Sequence, residues 1–368
     1  MAADPKTALE RLATGQAWRE FCDELAQLSE DLERSGGPDT PLDRAEAHRY
    51  LTRLISSAFE MIVEAGDARQ PAFFESLNET RKSGWDNPDN THTNAYISGE
   101  YEYRIRGTRG DAHYMTIAVY GGSLGRDGGR RTISYVDIDD LEIDATGKFE
   151  ILLGLREQPG NWVQTAADAT TVMMRQTFWD KARETPSRMT IERIGREPAP
   201  PLDPDFLDKA LQRAIRFMRG TNRSFFSYAR KFRESSGSVY QSSPENSAQL
   251  LGIPKMRYMN SWWKLPADQA VVVEVMPPEC RYWSFVLSNY WGESFDYRKF
   301  QIHTNAKRAR YKTDGSLRFV ISENDPERED TNWLDPCGHT EGLWTLRWLE
   351  AQDHPTPTIA VVPADSLA

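Results

Sequence analysis

The spacing of apolar positions changes along the chain, and each change marks a new kind of element. Through residues 7–34, Trp18, Phe21, Leu25, Leu28 and Leu32 recur at spacings of three and four. That spacing lines one face of an α-helix, so a helix is predicted there. Ser35-Gly36-Gly37-Pro38 stops it. Thr40 suits an N-cap, with Pro41 in the first helical position and Asp43 three residues after the cap. A second helix is predicted over 42–65, with Leu51, Ile55, Phe59 and Ile62 as its stripe and Ala65-Gly66-Asp67 as its end. Together they read as an antiparallel hairpin whose two stripes must be buried, either against its own β-domain or against a second subunit.

From about residue 95 the period becomes two. Glu100 to Gly107, Tyr114 to Tyr120, Arg131 to Val136 and Phe149 to Leu153 alternate, with Gly, Asp and Asn between them. Residues 161–164, 171–178 and 188–194 extend the set, which reads as antiparallel strands. Pro198-Ala199-Pro200-Pro201-Leu202-Asp203-Pro204 is a linker. A helix then opens at Asp203-Pro204 on the face Phe206, Leu207, Ala210, Leu211, Ala214, Ile215 and Met218, and a further helical stretch reaches about Phe232. The polar segment 234–248 is a loop, mobile or lid-like. Strands return at 270–276, 282–287, 342–349 and 358–362. Residues 310–322 read as a hairpin turning at Asp314-Gly315.

This order, without βαβ alternation, predicts an α+β protein that is mainly antiparallel β. It has two β-sandwich or jelly-roll-like domains, an N-terminal helical hairpin and a linking helix. The hairpin takes 1–70, the first β-domain 71–200, the linking helix and polar loop 201–250, and the second β-domain 251–368.

Charge narrows the function classes. The formal net charge is −10 and the pI about 5.3, and no long basic run occurs. A nucleic-acid or anionic-membrane partner is therefore disfavoured. Cys22, Cys280 and Cys337 lie far apart and make no CxxC, which suits a reducing cytosol. No apolar run approaches ~18 residues, and Met1-Ala-Ala-Asp-Pro-Lys lacks an apolar signal core. The expected location is cytoplasmic, without membrane insertion. Eleven tryptophans in a chain of mean hydropathy −0.65 point either to large β cores or to an aromatic cavity.

The densest motifs are Pro277-Pro278-x-Cys280-Arg281-Tyr282-Trp283, Asn289-x-Trp291-x-Glu293-Ser294-x-Asp296-Tyr297-Arg298, Asp314-Gly315-Ser316, Asp325-Pro326, Asn332-Trp333-Leu334-Asp335 and Gly338-His339-x-x-Gly342. In order and spacing they resemble the domain of unknown function 1214 family over about 110 residues. Upstream, Asp86-Asn87-Pro88-Asp89 and Tyr103-Arg104-Ile105-x-Gly107 resemble its actinobacterial-type members. The resemblance implies a β-sandwich or jelly-roll-like fold and no particular reaction. The chain departs from the family at Glu327-Arg328-Glu329-Asp330-Thr331, an acidic insert where relatives have a short turn.

Within these motifs His339 is the leading acid–base candidate, a turn histidine near Asp335, whose carboxylate would fix its tautomer. Tyr282 and Tyr297 are candidate proton relays. Arg281 is the candidate anion anchor, or else the partner of Glu293 or Asp296. Trp283, Asn289, Trp291 and Trp333 are candidate substrate walls. Each has a plain alternative: His339 a strand cap, Arg281 a structural ion pair, the aromatics an ordinary core. The six histidines show no HxH or HExxH spacing, so a resident metal is not expected. The acid clusters around Asp139 and Asp140, and around Asp325 and Glu329, would hold Mg²⁺ only for a diphosphate substrate. Gly121 to Arg131 can cradle an anion, but it lacks the Lys-Ser/Thr of a P-loop, and a hairpin with surface arginines is the simpler reading. No GxSxG or dinucleotide fingerprint occurs.

These readings converge on a non-redox enzyme of lyase, isomerase or cyclase type. It would act on a lipophilic, even isoprenoid, small molecule in an aromatic cavity. A non-catalytic lipid- or carbohydrate-binding module is the alternative, and an assembly protein, as a homo-oligomer, the third.

Overall fold

The computed structural model describes residues 7–122, 130–195, 198, 201–243 and 252–367. The centre of the glycine-rich stretch (123–129), parts of the linker (196, 197, 199 and 200) and the end of the polar loop (244–248) lie outside the described residues.

Helix α1 spans Ala8–Ala13, α2 Gln16–Glu33 and α3 Pro41–Ala58, the last continued by a π-helical turn over Phe59–Glu64. Nine strands follow: β1 Phe74–Leu77, β2 Asn90–Tyr96, β3 Tyr103–Thr108, β4 Tyr114–Gly122, β5 Arg130–Asp137, β6 Lys148–Gly154, β7 Trp162–Gln164, β8 Ala169–Thr177 and β9 Arg188–Arg193. Helix α4, Pro204–Glu234, runs unbroken for 31 residues. Then come β10 Tyr240–Gln241, β11 Met256–Lys264, β12 Gln269–Val275, β13 Tyr282–Ser288, β14 His303–Asn305, β15 Leu317–Ile321, β16 Asn332–Leu334, β17 Glu341–Leu349 and β18 Thr358–Pro363.

The chain folds into two compact units that are interleaved in sequence. Unit 1 holds Met1–Ser35, Leu51–Arg81 and Thr91–Ser224; unit 2 holds Gly36–Tyr50, Lys82–Asn90 and Phe225–Ala368. The division does not follow consecutive boundaries at 70, 200 and 250. Two short segments from the N-terminal part belong with the C-terminal strands, and the boundaries fall inside α3 and α4.

Each unit is a β-sandwich. In unit 1 the sheets run β1-β2-β8-β4-β5 and β7-β6-β3-β9. Their facing sides bury Met115, Ile117, Val119, Val172 and Met174 against Ile105, Phe149, Ile151 and Leu153. In unit 2 the sheets run β10-β11-β17-β13-β14 and β16-β15-β12-β18. Trp283, Phe285, Trp344, Leu346 and Trp348 pack there against Val271, Val273, Leu317, Phe319 and Ile321. Phe285 stacks on Phe319 with centroids 4.1 Å apart. At about 1.5–3 kcal/mol for each large apolar side chain removed from water, this layer is the main stabilising contact of unit 2. Among the strand pairings described, β6 with β7 and β15 with β16 are parallel and short, and the others are antiparallel.

Several sequence readings are corrected. The single helix over 7–34 is broken at Gly15, which takes φ +69, so α1 and α2 are separate. Trp18 faces outward at 55% exposure, while Phe21, Leu28 and Leu32 are buried. β1 and β2 carry too little apolar alternation to be read beforehand. The 310–322 hairpin does not form: Gly315 makes a turn closed by Lys312 N to Ser316 O at 2.9 Å, but β15 pairs with β12 and β16. Thr40 does cap α3, accepting from Asp43 N at 3.1 Å. Among the described residues no helix is long and apolar enough to cross a membrane.

Candidate functional site

Strands β13 and β17 are buried on both faces. Alternation sends Trp283, Phe285, Trp344 and Trp348 into the sandwich and leaves Tyr282, Ser284, Thr345 and Arg347 on the other side. The segment Lys82–Asn90 fastens to this polar face. Arg347 Nη2 donates to Trp85 O at 2.5 Å, and Asn87 Nδ2 donates to Tyr282 Oη at 2.9 Å. Ser294 N and Oγ donate to the Asp86 carboxylate at 2.8 and 2.7 Å. Lys82 Nζ, 4% exposed with its residue, donates to Ser294 O at 2.8 Å and Phe295 O at 2.7 Å.

At the centre lies Asp89, 3% exposed. Burying an unpaired carboxylate costs several kcal/mol, so such a group survives only with donors around it. Oδ2 accepts from Tyr282 Oη at 2.7 Å and Asn305 Nδ2 at 2.9 Å. Oδ1 accepts from Arg308 Nη2 at 3.0 Å and lies 3.4 Å from His303 Nε2. Burial pushes the Asp89 pKa up, but His303, Arg308 and Asn305 outweigh it and hold the group below the usual carboxylate range. Burial, reinforced by Asp89, drives Tyr282 well above the ordinary phenol value, so its hydroxyl keeps its proton. The network reaches solvent at one edge. His303 and Arg308 have side-chain exposures of 12% and 39%, and Arg308 Nη2 donates to His303 Nε2 at 2.6 Å.

His339 is locked. Its Nδ1 lies 3.0 Å from Pro336 O, and its Nε2 lies 3.0 Å from Glu46 Oε2. Pro336 O can only accept, so Nδ1 carries a proton, and an ionised Glu46 favours a second proton on Nε2. Burial alone would lower the His339 pKa; the Glu46 carboxylate outweighs it and the net shift is upward. Burial likewise acts to raise Glu46, and His339, Asn289 and Arg49 bring it down. Phe295 stacks on the imidazole at 4.4 Å.

The expected site residues therefore part company. Tyr282 belongs to the Asp89 network, and Tyr297 stands edge-on to His303 at 6.0 Å with Lys82 Nζ 4.4 Å from its ring centroid. Asp335 does not orient His339: it accepts from Cys337 N at 2.7 Å and shapes the turn, while Glu46 of α3 takes the expected role. Arg281 Nη1 lies 3.7 Å from Glu350. Asp296 pairs with Arg298, whose hydrogen bonds hold it down at about 2.

The expected aromatic walls are packed. Trp283 is core, edge-on to Phe319 and Trp348. Trp291 donates to Asp43 O at 3.1 Å, and Trp333 donates to Ser322 O at 3.0 Å. Asn289 donates to Glu46 at 2.7 Å and accepts from Trp291 N and Glu293 N, each at 3.1 Å. The acid clusters do not converge either. Asp139 pairs with Arg109, Asp140 is exposed, Asp325 accepts from Glu327 N, Glu329 is exposed, and no metal-holding group of three or more forms among the described residues. A separate open groove of about 910 Å³ lies in unit 1, with Leu152 and Phe149 flanked by Arg106, Lys148, Glu150 and Arg188.

Sequence reasoning passed over Asp89, Asn305, His303, Arg308, Arg347 and Glu46. Asp89 had a signal, the Asp86-Asn87-Pro88-Asp89 run. Glu46 had none, since it is one acid among several on a polar helix face.

Two stretches, 87–178 and 269–353, match the family model described as "Protein of unknown function (DUF1214)". The first begins inside the strap that carries Asp89, and the second covers β13 to β17. A crystal structure of an uncharacterized protein from Burkholderia cenocepacia is 38% identical, with a TM-score of 0.93 over 98% of this chain and 100% of that one. The chain belongs to the DUF1214 family. A protein from Vibrio parahaemolyticus is 11% identical, with a TM-score of 0.47 over 85% of this chain and 97% of that one. No curated protein matches the chain.

Proposed function

We propose that this protein is a non-redox, small-molecule enzyme of the lyase or isomerase type, working by proton transfer at the Asp89 network of unit 2. One observation carries the reading. A fully buried, ionised carboxylate ties an interior phenol, Tyr282, to a histidine and an arginine at the protein's edge, His303 and Arg308. Such clusters of perturbed titratable groups concentrate at functional sites. In this reading His303 is the acid–base group, Asp89 its buried carboxylate and Arg308 the cation facing a substrate oxyanion. Tyr282 and Asn305 position Asp89. His339, with both nitrogens occupied, is a structural cation.

The lipophilic substrate loses its support, because the aromatics expected to line a cavity pack against each other. A polar metabolite suits the His303–Arg308 edge better. The free cysteines Cys22, Cys280 and Cys337 favour a cytoplasmic setting. The unit 1 groove, with its apolar floor and charged walls, favours a carbohydrate-binding module as the second reading.

The test is untargeted mass spectrometry of a metabolite extract incubated with wild type, His303→Gln and His339→Gln. Wild type and His339→Gln should consume a common feature that His303→Gln leaves untouched. Equal turnover by His303→Gln and wild type overturns the assignment.

A further inference from the structure

Many arginines of unit 1 lie against a carboxylate. Arg11 meets Asp208 and Glu20, Arg106 meets Glu150 and Glu192, Arg109 meets Asp139, and Arg219 meets Glu24. Some half-buried arginines lie on tyrosine rings instead, and two of these share one neighbourhood. Arg130, which opens β5, places its Cζ 4.4 Å from the ring centroid of Tyr120. Arg213 of α4 places its Cζ 5.5 Å from the ring centroid of Tyr96. Neither makes a salt bridge among the described residues.

The neighbour of Arg130 gives the internal control. Side chains alternate faces along a strand. Arg131 therefore points to the other side of β5, where it pairs with Asp168 at 2.5 Å. Arg130 points to the side carrying Tyr120, Tyr96 and Arg175. Among the described residues the titratable groups that act on it are those three, and none is a carboxylate. Arg175 is a third guanidinium on this face, 5% exposed. Both Arg130 and Arg213 act on the Tyr96 hydroxyl, so the two cations converge on one ring. Burial first, and Arg175 after it, push the Arg130 pKa down.

Like charges gathered at a partly buried place repel, and the usual remedy is a counter-anion. Arg213 spends one hydrogen bond on the Tyr96 hydroxyl, and a guanidinium carries five N–H donors in the fork that matches a carboxylate or phosphate, so donors remain for an anion. We propose that Arg130 and Arg213 form a binding site in unit 1 for the carboxylate or phosphate group of a small molecule, whose body lies against Tyr96. The site stands apart from the Asp89 network and does not depend on the reaction assigned to it.

The experiment is calorimetric titration of the full-length protein at low ionic strength with inorganic phosphate, acetate and benzoate as separate probes. At least one should bind saturably, and the preference decides between phosphate and carboxylate. Arg130→Gln and Arg213→Gln should each weaken binding by about tenfold or more, the worth of a charge-assisted hydrogen bond. Arg131→Gln should leave it unchanged. Thermal melting supplies a second readout. In anion-free buffer Arg130→Gln should melt no lower than wild type, because it relieves repulsion, and only wild type should gain stability from the probe. Should Arg130→Gln fail to fold, Arg130→Lys keeps the charge, loses the fork and should still weaken binding. The proposal is overturned if no probe saturates, if Arg130→Gln binds like wild type, or if Arg131→Gln loses as much affinity as Arg130→Gln.

Discussion

Units 1 and 2 share a plan, two mainly antiparallel sheets around an apolar layer, but they differ in how they treat some of the buried charges outside that layer. In unit 2 buried charges find opposite partners: Asp89 with Arg308, Glu46 with His339 and Arg49, Glu341 with Arg233. Even Arg347, which contacts Trp85 O, has Asp86 and Asp89 in electrostatic range. In unit 1, Arg130 and Arg213 rest on tyrosine rings with no carboxylate partner among the described residues. A compensated network is complete in itself. An uncompensated pair of cations is complete only when something binds. The first arrangement is suited to hold catalytic groups, the second to receive a ligand.

The sharpest way to break this contrast is at Asp89. Asp89→Ala should destabilise the protein by about 3 kcal/mol, because it strands Tyr282, Asn305 and Arg308 around an empty position. Urea unfolding measures it, and a loss below about 1 kcal/mol would mean the network is slack. Next is Gly342→Ala, expected to cost about 1–3 kcal/mol in the same assay. A Cβ there would sit 2.7 Å from Trp263 Cζ2 and 2.8 Å from the fixed carbonyl of Ser288.

Tyr282→Phe should follow at about 1–2 kcal/mol, since Asp89 loses one donor of several and Asn87 loses an acceptor.

The Glu46–His339 pair sharpens the contrast through pH. His339 has a raised folded-state pKa, so its stabilisation is complete below its ordinary value near about 6.5 and fades as pH rises through the raised one. Glu46 has a lowered folded-state pKa, so its stabilisation is complete above the ordinary glutamate range near about 4.3 and fades as pH falls through the lowered one. Thermal melting should show greatest stability between those two values, and Glu46→Gln should flatten both slopes. Unchanged slopes would show that the pair is not coupled to folding. The smallest effect belongs to the exposed Arg131–Asp168 pair, where Arg131→Gln should leave the melting curve unaltered.

Much of the fold was legible because it rests on local periodicity. The apolar, β-branched runs at Tyr114 to Tyr120 and at Ala270 to Val275 report strands, and β4 and β12 follow them, buried along nearly their whole length. Thr40 and Pro41 announce α3 because capping is a short-range contact. The site was only partly legible. The family motifs carry turn-formers whose partners lie within a few residues, such as Asp335 with Cys337 and Asp296 with Arg298. Their density suggested chemistry, whereas much of their work is local geometry. Asn332 shows the longer-range version, tying down Arg310 N and O at 2.8 Å each and Arg318 O at 3.1 Å.

By itself the sequence determined the class, α+β and mainly antiparallel, the positions of most strands, and the family. Each follows from the chemistry of residues a few positions apart. Tertiary structure alone decided which side chains meet. Asp89 lies 193 positions from Tyr282, and Glu46 lies 293 from His339. The physical reason is that a buried charge takes whatever partner the packed elements bring within about 3 Å, and periodicity along the chain carries no record of that choice.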